Sequence, residues 1–126
     1  MKLDILVQLA RIMNTFHSLA VPVYHGNLNS FNVFVEIQVG SDGVKVPRVI
    51  VGEIDMNDFK RYANMFYSYK SVSVSSAPEC LRNPKKRLDP TPAMDTYGFA
   101  MIMWEMLHDT QPFDGNLEAA IEFVID

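Results

Sequence analysis

Residues 91–107, TPAMDTYGFAMIMWEML, restrict the possible folds more than any other part of this chain. Thr91 before Pro92 has the form of a helix N-cap followed by proline at the first helical position, where a missing N–H costs nothing. From Tyr97 to Leu107 the only charged side chain is Glu105, so no polar face survives at the helical period. A helix that is apolar all round is either a membrane span or a helix buried inside a larger protein, and this run is well short of the ~20 residues a bilayer requires. The expectation is a buried central helix with other elements packed on every side.

Composition fits a folded domain that can supply those elements. Of the 126 residues, 48% are hydrophobic and 21% charged, which argues against disorder. A net charge of −4 offers nothing to nucleic acid or to an anionic membrane, and the basic run Pro84-Lys85-Lys86-Arg87 reads as a solvated loop. Cys80 is the single cysteine, which rules out an intrachain disulfide and a cysteine-rich zinc site and fits a cytoplasmic protein. Met1-Lys2 leads into a mixed segment with Asp4, Gln8 and Arg11, unlike a signal peptide.

The other elements follow from periodicity and turn chemistry. In residues 3–19, Leu6, Leu9, Ile12, Phe16 and Leu19 recur at helical spacing, with Asp4, Gln8, Arg11 and Asn14 largely on the opposite side and Pro22 beyond. Residues 24–32 are polar and contain glycine. Residues 33–39 (VFVEIQV) and 44–51 (VKVPRVIV) are β runs joined by Gly40-Ser41-Asp42-Gly43, a hairpin in which Pro47 marks an edge or a bulge. Residues 52–76 show little periodicity, and a segment of that length in a compact domain is usually functional or mobile. A short helix opens near Ala77, a polar loop covers residues 83–90, residues 110–115 form another loop, and residues 117–125 start a further amphipathic helix.

Several motifs lie along this order. Ala77-Pro78-Glu79 matches an A-P-E triplet, Asp95-Thr96-Tyr97-Gly98-Phe99-Ala100 is similar to D-V-Y-S-F-G, and Trp104-Glu105 and Pro112-Phe113 match W-E and P-F. With these the chain resembles the C-terminal lobe of a eukaryotic protein kinase, nearest the tyrosine-kinase-like group with its integrin-linked pseudokinases. The resemblance implies a mainly α, kinase-like C-lobe spanning residues 1–126, with a buried central helix and one small β-hairpin. It implies that the N-terminal lobe, with its glycine-rich loop and lysine, and the last C-lobe helices are missing.

The catalytic positions depart from the family. Residues 25–32, HGNLNSFN, align with the catalytic loop H-R-D-L-x-x-x-x-N in the kinase spacing. The base position is Asn27, whose carboxamide accepts a hydrogen bond but cannot act as a carboxylate base at neutral pH. The arginine is replaced by Gly26 and the lysine by Asn29, while Asn32 keeps the magnesium-ligating asparagine. The D-F-G position falls on Glu53-Ile54-Asp55, so the resemblance makes Asn32, Glu53 and Asp55 the metal positions, with Asp58 open to a shift in register. Ile54 takes the apolar spine position, and Phe34 the adenine floor. Tyr67, Ser68, Tyr69, Ser71, Ser73, Ser75 and Ser76 lie where the family carries activation-loop phosphosites.

Beside these stand plainer roles. The resemblance itself implies a structural His25 packed against the central helix; Asp95 is expected to hydrogen-bond the backbone of residues 24–27, and Asn32 to serve as a turn residue without metal. His17 and His108 read as ordinary helix residues, and no spacing among the histidines suggests a metal site. Trp104 belongs to the core. The reading is a catalytically degenerate kinase-like domain, or a fragment of one, acting as a protein-binding or scaffold module in signalling. It needs no cofactor and binds a protein partner, not nucleic acid. The alternative is a divergent Ser/Thr or Tyr kinase that uses ATP and Mg with an N-lobe supplied elsewhere. A truncated product without independent function is a third reading.

Overall fold

The computed structural model describes residues 1–53, 72–86 and 88–125. Helix α1 (Lys2–His17) buries Leu9 and Met13, with Ile5, Leu6 and Ile12 packed beside them. It ends at Ser18, before Pro22, so Leu19 falls outside the helix and is exposed. A short 3-10 turn (Ser30–Asn32) leads into strands β1 (Val33–Val39) and β2 (Lys45–Val51), which pair antiparallel from Val33 opposite Val51 to Val39 opposite Lys45. The turn between them closes with Gly43 N–H donating to the Gly40 carbonyl at 2.9 Å, and Gly43 adopts a φ of +78°, a conformation glycine takes without strain.

Strand β2 lies against α1, and Val49 joins Leu9, Met13, Leu28 and Ile102 in one apolar cluster. Gln8 lies on this packed side of α1 rather than on its solvent face. Its amide donates to the Pro47 carbonyl at 2.8 Å and its oxygen accepts from Val49 N–H at 3.1 Å. One side chain thus closes the outer edge of β2. Helix α2 (Pro78–Arg82) follows the Ala77-Pro78-Glu79 triplet. It packs on helix α4 (Leu117–Ile125) through Leu81, Val74 and Ala120, while Ala77 and Cys80 meet Met94.

Helix α3 (Pro92–His108) starts as its sequence suggests, with the Thr91 hydroxyl accepting from Met94 N–H at 3.3 Å and proline in the first turn. Its surroundings correct the expected burial. Only one stripe is buried, Met94, Asp95, Gly98 and Ile102, recurring every three or four residues. Met103, Trp104 and Leu107 face outward, with Trp104 37% and Leu107 67% exposed. Trp104 is not a core residue: it stacks on His108 with ring centroids 4.2 Å apart. Low charge all round a helix makes burial favourable but does not supply neighbours, and among the described residues none covers that side.

The fold is therefore four α-helices and a two-stranded antiparallel hairpin among the described residues, about half of them helical. This replaces the expected mainly α, kinase-like C-lobe with a buried centre. Among the described residues no helix is long and apolar enough to cross a membrane, and the buried Cys80 forms no disulfide.

Candidate functional site

Among the described residues, the one carboxylate fully inside the fold organises the polar loop between α1 and β1. Asp95, one turn into α3, is 2% exposed. Its Oδ2 accepts from the backbone N–H of His25 at 2.9 Å and its Oδ1 from that of Gly26 at 2.7 Å. His17 Nε2, at the end of α1, reaches the same Oδ2 at 2.7 Å. His17 is thus not an ordinary helix residue: it ties α1 to α3 across the loop. The pair is 78 residues apart in the chain and no local pattern marks it.

The tautomer of His25 follows from its partners. Its Nε2 lies 2.7 Å from the Gly52 carbonyl, which can only accept, and its Nδ1 lies 3.2 Å from the Asn27 N–H, which can only donate. The ring is therefore neutral with the proton on Nε2. It links the loop to the end of β2.

The asparagines close the loop upon itself. Asn29 and Asn32 each donate their side-chain amide to the Asn27 backbone carbonyl at 2.9 Å. Asn29 Oδ1 accepts from Phe31 N–H at 2.9 Å, capping the 3-10 turn, and its amide also lies 3.4 Å from Asn27 Oδ1. Asn29 and Asn32 are buried, and Asn27 is half-buried. Among the described residues no fully buried side-chain nitrogen or oxygen lacks a partner.

Two glycines permit the arrangement. Gly26 has a φ of +71°, and a Cβ there would meet the Pro90 ring at 2.8 Å. An arginine at this position has no room. At Gly98 a Cβ would run into the Leu28 carbonyl oxygen, so only glycine lets α3 lie against the loop backbone.

The remaining candidate positions are dispersed. Phe34 is 56% exposed on β1, opposite Ile50, with its ring against Gly52. Glu53 is exposed with a φ of 57°. Ile54, Asp55, Asp58, Tyr67, Ser68, Tyr69 and Ser71 lie outside the described residues. Ser73 and Ser76 cap one another's turn, and the buried Ser75 donates its hydroxyl to Glu105 at 3.2 Å. Among the described residues no group of three His, Cys, Asp or Glu side chains could hold a metal ion. The cavity bordered by Asn27, Leu28, Ser75 and Met94 has about 10 Å³, room for at most one water. Near Ala77-Pro78-Glu79, burial and then the charge of Glu79 push the Tyr97 phenol above its ordinary pKa of 10.0.

No protein-family model, curated protein or solved structure matches the chain.

Proposed function

We propose that the chain is a catalytically degenerate relative of protein kinases that acts by binding protein and transfers no phosphate. The observation that carries this reading is the loop of residues 25–32. Asp95 holds the backbone N–H groups of His25 and Gly26, the Asn29 and Asn32 amides donate to the Asn27 carbonyl, and the position a kinase gives to the catalytic base holds Asn27. A phosphotransferase needs a carboxylate near the attacking hydroxyl and charged oxygens for magnesium. Residues 25–32 contain no acidic side chain, and Asn32, whose NH₂ donates to the Asn27 carbonyl, has only a neutral amide oxygen to offer a metal.

The binding side of the proposal rests on the outward face of α3. Met103, Trp104 and Leu107 form an exposed apolar strip that includes the only tryptophan, a residue type that concentrates binding energy at interfaces.

Thermal denaturation with increasing ATP and MgCl₂ tests the absence of nucleotide chemistry. The expected result is an unmoved melting temperature at all concentrations. Saturable stabilisation that requires magnesium would favour the divergent kinase and overturn the proposal. Asn27→Asp is expected to give no phosphotransfer to protein or peptide, because Asn29 and Gly26 still stand where the family has cations. Measurable transfer by that variant refutes the account of the loop.

A further inference from the structure

The two outer edges of the hairpin are treated differently. Gly52 N–H donates to the Asn32 carbonyl at 2.8 Å, and at the other end Gly40 N–H donates to the Val44 carbonyl at 2.9 Å. In an antiparallel pair the bonded positions alternate, so the even-numbered residues of β1 bond to β2. The N–H and C=O groups of Val33, Val35, Ile37 and Val39 then point away from the hairpin. On β2 the groups pointing away include Pro47 C=O and Val49 N–H, the two that Gln8 satisfies. Pro47 itself stands at a non-bonded position, where a missing N–H disturbs nothing. The edge of β2 is therefore closed by a proline and a side-chain amide.

Among the described residues, nothing closes the edge of β1 in this way. Among the described residues no strand pairs with it, and residues 33–39 contain no proline, lysine or bulge. Val35, Ile37 and Val39 are exposed along it. A free edge of this kind accepts an extended segment whose side chains suit its own.

We propose that this edge pairs with the same edge of a second copy of the chain, antiparallel and centred on Ile37. The choice of register follows from residues 33–39, VFVEIQV. Centring on Glu36 sets two carboxylates directly opposite, which is unfavourable, and centring on Val35 sets Glu36 against Phe34. Centring on Ile37 pairs Val35 with Val39, Ile37 with itself, and Glu36 with Gln38 of the second copy. The Gln38 amide donates to the Glu36 carboxylate twice, once on each side of the axis. The product is a four-stranded sheet, β2-β1-β1-β2, with a closed two-fold axis, in which the apolar rows of Val35, Ile37 and Val39 merge on one face. This pairing is independent of whether the loop of residues 25–32 descends from a kinase.

Sedimentation of the chain at rising concentration tests the pairing. The expected weight-average mass climbs from the monomer's 14.3 kDa toward twice that value. Gln38→Lys places a cation opposite Glu36 and is expected to lower the dissociation constant. Gln38→Glu places like charges opposite and is expected to raise it, both effects shrinking with salt. Ile37→Pro deletes the outward N–H at the axis without touching the β1–β2 ladder and is expected to hold the chain monomeric. Circular dichroism checks that each variant stays folded, and the two Gln38 variants carry the test should the proline variant unfold. A mass fixed at 14.3 kDa at every concentration overturns the proposal. Association that Gln38→Lys and Gln38→Glu alter alike overturns it too.

Discussion

Removing the buried Asp95 carboxylate should damage this fold severely. The carboxylate receives two backbone N–H groups and a histidine, all at 2.7–2.9 Å, in a place closed to water. Hydrogen bonds to a charged acceptor contribute ~1.5–3 kcal/mol each, and a buried donor left without its acceptor costs ~1–3 kcal/mol. In Asp95→Ala the N–H groups of His25 and Gly26 stay buried and unmatched, whereas His17, whose side chain is 23% exposed, regains water. The expected loss is on the order of 4 kcal/mol, comparable with the whole stability of a small domain. Asp95→Asn keeps an acceptor for Gly26 but turns an NH₂ toward His25 N–H and His17, so it should lose ~2–3 kcal/mol. Urea denaturation at constant slope measures both, and hydrogen exchange reads the His25 and Gly26 amides directly. A loss below about 1 kcal/mol for Asp95→Ala, with those two amides still protected, would refute the anchoring role.

Other perturbations separate competing effects. Gly98→Ala favours the helix by up to ~1 kcal/mol but drives a Cβ into the Leu28 carbonyl; a net destabilisation of ~1–3 kcal/mol by urea denaturation is expected, and a stabilised variant contradicts the close approach. Trp104→Ala should cost only about 1–2 kcal/mol, since its ring is partly in water and rests on His108 at the surface; unfolding of the domain would show that the α3 face is buried after all. Tyr97 is held in its neutral form, so its contribution is complete below pH ~10 and disappears as pH rises through the raised pKa. Stability followed to alkaline pH should fall less for Tyr97→Phe than for the unmodified chain, and identical profiles would contradict the shift.

What could be read from the sequence was whatever depends on neighbours along the chain. Residues 33–39 form the strand expected of a β run, the Gly40–Gly43 tetrapeptide turns, and Thr91 caps α3, because β propensity, turn chemistry and capping act over a few residues. What escaped was set by partners far away. Gln8 belongs by spacing to the polar face of α1, and only the arrival of an unsatisfied strand edge makes its amide a packed group. His17 offers no signal before Asp95 comes beside it. The exposed side of α3 failed for a different reason: hydrophobicity reports that burial is favourable, and says nothing about whether another element is present to provide it.

The loop of residues 25–32 unites these two levels. An active site retains strain, unmatched donors or clustered charge because its chemistry uses them, and each lowers stability until a ligand arrives. The loop of residues 25–32 is held instead by contacts within the fold. Asn29 and Asn32 turn in to the Asn27 carbonyl, His25 sits neutral between a carbonyl and an N–H, and the buried charge of Asp95 serves the backbone on one side and His17 on the other. Asn27→Asp would introduce a carboxylate into a loop that has no acidic side chain. The carboxylate would find no lysine or arginine among residues 25–32 to pair with. On the proposed reading, that is why Asn27→Asp alone should give no phosphotransfer.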